Sequence, residues 1–163
     1  MIFRFTKKAQ EKLKTGKLSS VPEGDLFREW YVHVFIVERC RYYLVTHAAS
    51  LFSVVVRGAG ISSEEKLFDY VFQELKEKFS EAGCDNMFER IGVTGSEEIV
   101  LSNTANRKII GSMNDIIQCL QVIRDDTAVS AHEMSAFINR TPFTYINGNS
   151  PFKFIKDADN SLK

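Results

Sequence analysis

The residues best suited by type and spacing to do chemistry lie in one polar run, Asn106-Arg107-Lys108-Ile109-Ile110-Gly111-Ser112-Met113-Asn114-Asp115. A helix is predicted to begin at Ser112. Ser112 and Asp115 have capping-box spacing, and Met113, Ile116, Ile117, Leu120 and Ile123 recur on one side. The run therefore leads from a strand end into a helix N-terminus, where unpaired backbone N–H groups and the positive end of the helix dipole favour an anion. Arg107, Lys108 and Ser112 would add donors. Asn114 and Asp115 in the first turn work the other way, because a carboxylate there already satisfies the helix end. The run then reads as a capped helix start, with Arg107 a surface charge or the partner of Asp115. Asn139-Arg140-Thr141-Pro142 closes a later helix, which Pro142 cannot continue. Arg140 there either bonds backbone carbonyls or faces the 106–115 run across a cleft.

Other chemical candidates are weaker. His33, His47 and His132 lack metal-ligand spacing, so no metal site is expected; His33 and His47 fall on neighbouring strands and could meet within a sheet. Cys40 sits in a turn between Arg39 and Arg41, which would favour its thiolate, but the sequence supplies no base beside it. Ser112 lacks a G-x-S-x-G elbow. No P-loop or G-x-G-x-x-G occurs, and Gly58-Ala59-Gly60-Ile61 follows a strand without the phosphate-binding spacing. No catalytic residue and no cofactor is assigned.

The elements that would position these residues follow from periodicity. Ile2–Phe5 is a short strand, and Lys7–Thr15 a helix closed by Gly16. Residues 16–28 mix Ser, Pro and Gly as a surface loop. Trp30–Val37 and Tyr42–His47 form a hairpin around Arg39-Cys40-Arg41, and Leu51–Arg57 adds a third strand. One face of the 30–37 strand carries Trp30, Val32, Val34 and Ile36, the other Tyr31, His33, Phe35 and Val37. Both faces are largely apolar, which requires cover on each side or a surface used for contact. Residues 62–82 are a helix that Ser62 or Ser63 can cap, with Glu65 three residues after Ser62, carrying a Leu67, Phe68, Val71, Phe72, Leu75 and Phe79 stripe and ended by Gly83. A short helical turn over 85–91 stops at Gly92, a fourth main strand spans Glu98–Asn103, and a helix spans Ser130–Asn139. After Pro142 the tail is irregular, with Phe152, Phe154 and Ile155 docking on the body. The order lacks regular strand–helix alternation. It predicts one α+β domain over 1–163, a mostly antiparallel sheet of about four to five strands with helices packed on it.

Composition bounds the function. The chain has 163 residues, near the size of one domain, with 44% hydrophobic content and 13 Phe, so it can bury a substantial core. Lys plus Arg and Asp plus Glu are both 21, giving a formal net charge of +0, which argues against a generic phosphate-neutralising role and demotes nucleic acid as a partner. Locally, Arg4, Lys7, Lys8, Lys12, Lys14 and Lys17 stand against Glu11 alone, as on the solvated face of a helix. Cys40, Cys84 and Cys119 are odd in number and widely spaced, without a C-x-x-C pair or a leader-like segment, and read as reduced thiols of a cytoplasmic protein. No apolar run is long enough to span a bilayer, so no membrane insertion is expected.

The combination of N-R-K-I-I-G-S-M-N-D at 106–115, N-R-T-P at 139–142, E-W-Y-V-H at 29–33 and T-H at 46–47 resembles an uncharacterised bacterial family, domain of unknown function 6933. Related sequence also appears at the front of some plasmid-borne open-reading-frame-three-like proteins. The resemblance implies a bacterial, phage or plasmid source and a cytoplasmic accessory protein, and it implies no reaction. The family pattern favours Asn where this chain has His47. It marks Arg107, Gly111, Ser112, Asn114, Asp115 and Arg140 as either a shared surface or the capping and packing of the fold. The expected function is a non-enzymatic module that recognises a protein partner, or self-associates, through the polar face at 106–115 and 139–142. Two rivals remain: an enzyme or sensor holding a phosphorylated or nucleotide ligand through Arg107, Lys108 and Arg140, and a mobile-element inhibitor of a host defence protein.

Overall fold

A computed structural model describes residues 1–91, 98–126 and 129–162. Strand β1 is Ile2–Phe5 and helix α1 is Lys7–Leu13, capped by Thr6, whose side chain accepts from the Ala9 N–H. The chain leaves α1 at Lys14, in the left-handed region at φ 53°, rather than at Gly16 as the sequence suggests. Ala9 and Leu13 are the buried residues of this helix, so a further turn would bury nothing more.

Strands β2 (Glu29–Val37) and β3 (Cys40–His47) pair antiparallel over eight register positions, and β4 (Ser53–Arg57) pairs antiparallel with β3. The β2–β3 turn is Glu38-Arg39, both at positive φ (48° and 65°), as a two-residue loop with the natural strand twist requires. Cys40 therefore starts β3 instead of lying in the turn. Parallel pairing joins β1 to β2 and to β5 (Val100–Asn103), giving the order β4-β3-β2-β1-β5. The longer ladders are antiparallel, and the fold is α+β.

Helix α2 (Glu64–Ala82) is capped by Ser63, one of the two candidate serines, and ends at Gly83 with φ 65°. Helix α3 is Asp85–Arg90; the proposed stop at Gly92 lies outside the described residues. Helix α4 is Arg107–Asp126, so it begins well before Ser112. Asn106 is the cap: its Oδ1 accepts from the N–H groups of Lys108 (2.9 Å) and Ile109 (3.3 Å). Starting there adds Ile109 to the buried stripe of Met113, Ile116 and Leu120. Helix α5 (Ala131–Arg140) carries the expected capping box of Ser130 and Glu133. The tail after Pro142 is not irregular: Pro151–Asn160 form helix α6, with Ser150 as cap and Pro151 at the first position, where a missing N–H costs nothing. Ile155 docks in the core and Phe154 against its edge, while Phe152 stays exposed.

Helices cover both sides of the sheet. Phe3, Phe5, Trp30, Val32 and Val54 pack in one cluster with α1, α2, α3 and Ile155 of α6. Tyr31, Phe35, Leu44 and Val55 pack in the other with Ile109, Met113 and Ile116 of α4 and Met134 and Ile138 of α5. This double cover accounts for the two apolar faces of β2. His33 pairs with Leu44 and His47 with Trp30, on opposite faces, so the two histidines do not meet.

Candidate binding site

The start of α4 is anchored by side chains that the sequence presents as a loop. Asn106 donates its N–H to the Tyr31 hydroxyl at 3.2 Å and its side-chain amide to Glu23. Beneath it, Arg4 and Glu29 form a fully buried two-point ion pair, Nε to Oε2 at 2.7 Å and Nη2 to Oε1 at 2.8 Å. Arg4 also donates to the carbonyls of Val21, Pro22 and Asn103, while Glu29 accepts from the Gly24 N–H. The bond to Glu29 raises the Arg4 pKa further, and burial raises that of Tyr31. With nearly every donor used, the pair fastens residues 21–24 over the sheet. Arg4 had read as one of several surface cations. Only its place in a strand between Phe3 and Phe5 hinted otherwise.

The six proposed residues, five on α4 and Arg140 at the end of α5, separate. Ser112 turns inward, its Oγ donating to the Lys108 carbonyl at 3.1 Å, and Asn106 occupies two of the first helical N–H groups. That leaves the helix end largely satisfied and weakens it as an anion site. Arg107, Lys108, Asn114 and Asp115 are exposed, and their side chains have no partner among the described residues. The spacing 107, 111, 114, 115, 118 places them along one outward face. Arg140, also exposed, lies elsewhere: it lines a hollow of about 230 Å³ with Lys78, Glu81 and Phe152. Asn106, Arg107 and Ile110 line a different hollow, with Thr104 and Ala105. Asn139, the neighbour of Arg140, is buried and structural, as described next.

Three of the sheet's borders differ in how their backbone is used. At the outer edge of β4, Asn139 accepts from the Ser53 N–H and donates to the Ser53 carbonyl, both at 2.8 Å, and Ser135 accepts from the Val55 N–H at 2.8 Å. Helix α5 thus replaces a missing strand with side chains. At the outer edge of β5, Ser19 bonds the Leu101 carbonyl and the Asn103 N–H. The third border arises because β1 is shorter than β2. Their ladder ends at Phe5 with Val32, closed by the Thr6 N–H to the Val32 carbonyl at 3.0 Å.

Beyond that point β2 continues with no neighbour on the β1 side. The Glu29 carbonyl accepts from Ala48, next to β3, so odd-numbered β2 residues turn their backbone toward β3 and even-numbered ones toward β1. Val34 and Ile36 therefore face outward. The His33 Nδ1 lies 2.9 Å from the Val34 carbonyl, and the ring's pKa is lowered by burial. The remaining N–H groups of Val34 and Ile36 have no strand partner among the described residues. They floor a groove of about 560 Å³, walled by Lys8, Glu11 and Lys12 of α1 and by Asn114, Ile117 and Gln121 of α4. Arg41 closes its far end, and Ile36 is 62% exposed.

Among the described residues no group of three or more His, Cys, Asp and Glu is arranged to hold a metal. Burial pushes His47 down to about 4; its Nε2–H reaches the Phe27 carbonyl (3.1 Å) and Nδ1 accepts from Ser50 (2.8 Å), leaving it no open side for proton transfer. Gly58 is required by Arg41, since a Cβ there would stand 2.9 Å from the Arg41 carbonyl oxygen. The G-A-G-I segment is a close strand crossing, not a phosphate loop. Among the described residues Cys40, Cys84 and Cys119 form no disulfide, and no helix is long and apolar enough to cross a membrane.

Fold and groove define a class: an α+β domain with helices on both sides of an incompletely bordered sheet. Residues 2–154 match the family model of a domain of unknown function, DUF6933, and the chain belongs to that family. No curated protein matches it.

Proposed function

We propose that this chain is a non-enzymatic, cytoplasmic binding module of bacterial or mobile-element origin that recognises a protein partner through the outward face of α4 and the groove beside it. The observation that carries this reading is the pairing of four exposed, unpartnered polar side chains, Arg107, Lys108, Asn114 and Asp115, with a groove into which Asn114 also projects. Such a surface offers hydrogen bonds and charge at no cost to the fold. Three cysteines without a disulfide among the described residues fit a reducing compartment. The 139–142 segment falls outside this surface, because Asn139 serves β4 and Arg140 lines another hollow. The rival reading, a phosphorylated or nucleotide ligand held by Arg107, Lys108 and Arg140, has less support, since Arg140 and Arg107 line different hollows.

The test is a pull-down from a native host lysate, quantified by mass spectrometry, with the chain and its Arg107→Ala/Asp115→Ala double variant. The variant is expected to unfold within about 0.5 kcal/mol of the parent, as exposed substitutions do. It should nonetheless lose the captured partner. Capture at parental levels would place the contact elsewhere.

A further inference from the structure

The two walls of the groove belong to different layers, α1 on one side of the sheet and α4 on the other, and its floor is the edge of β2 between them. Such a floor is completed by one more strand, because unpaired N–H groups on a sheet rim are a template for main-chain pairing. A strand seats about 4.8 Å from its neighbour and pairs with these groups, whereas a helix, about 10 Å across, has already spent its backbone donors on itself. The free N–H groups of Val34 and Ile36 supply the pairing edge, and half-open Ile36 supplies an apolar contact.

Charge narrows the occupant. Lys8, Lys12 and Arg41 line the groove against Glu11 alone. A second copy of this chain would bring the same cations to the same edge, so like charges oppose self-pairing. Resting on the protein-binding reading above, we infer that the occupant is an extended acidic segment of the partner, which adds a short strand to β2 at Val34–Ile36 by main-chain pairing, with its carboxylates toward Lys8, Lys12 and Arg41.

The test uses the full chain and a displayed library of random octapeptides. Selection is expected to enrich peptides that alternate apolar and acidic residues, and their binding should weaken at least about tenfold in three cases. The first is N-methylation of alternate peptide amides; the second is Ile36→Pro, which removes a donor that β3 does not use; the third is Lys8→Glu/Lys12→Glu. Circular dichroism and thermal melting establish that each variant remains folded. Tight peptides indifferent to N-methylation and to Ile36→Pro, with NMR shift changes on Arg107 and Asp115, would overturn strand addition while leaving the protein-binding reading standing. Enrichment of helical spacing or of basic peptides would overturn it likewise. No enrichment, together with concentration-dependent dimers in ultracentrifugation, would overturn both.

Discussion

The edge of β4 and the distal edge of β2 pose the same physical problem and receive opposite treatments. Each presents backbone donors on the rim of a sheet, a ready template for another chain. At β4 the problem is removed within the molecule, since Asn139 and Ser135 of α5 take the partners' place. At Val34 and Ile36 two helices stand alongside without reaching in. One edge is closed with buried side chains, and the other is left open beside the lysines of α1.

That contrast breaks first, and most severely, on the closed side. Glu29→Ala strands the fully buried Arg4 guanidinium and releases residues 21–24, and should cost about 3–5 kcal/mol in urea unfolding. Next comes acid. Neutral His47 is kept near 4 when folded against an ordinary value of 6.5, so the unfolded chain takes up the proton first as pH falls. Stability from this group is complete above pH 6.5 and is lost on descending toward 4, by roughly 3 kcal/mol. His47→Asn should flatten that part of the pH profile, which urea midpoints at several pH values will show. Asn139→Ala, leaving the Ser53 N–H and carbonyl buried without partners, should cost about 2–3 kcal/mol in the same assay.

Much of this architecture is legible in residue order. The two-sided pattern of β2, the α2 stripe with Gly83 behind it and the Ser130–Glu133 capping box all describe local rules that tertiary structure leaves intact. Two helix starts depart from the sequence pattern because a single residue outweighs it. Asn106 starts α4 ahead of the Ser112–Asp115 signal, and the Ser150-Pro151 start of α6 was hidden by nearby Gly148. The site divided for a different reason. Sequence spacing ranks polar residues by type, but Asn139 is structural and Arg107 is free because of what lies opposite each in space. The open β2 edge was not visible at all, since it depends on β1 ending at Phe5 beside a strand that runs on to Val37.

Residue-resolved amide hydrogen exchange of the free chain measures the contrast most directly. Ser53 and Val55 should exchange slowly, near the rate set by global unfolding, while the Val34 and Ile36 amides exchange orders of magnitude faster. Equal protection at all four would mean that the β2 edge is already closed, and the groove would lose its role.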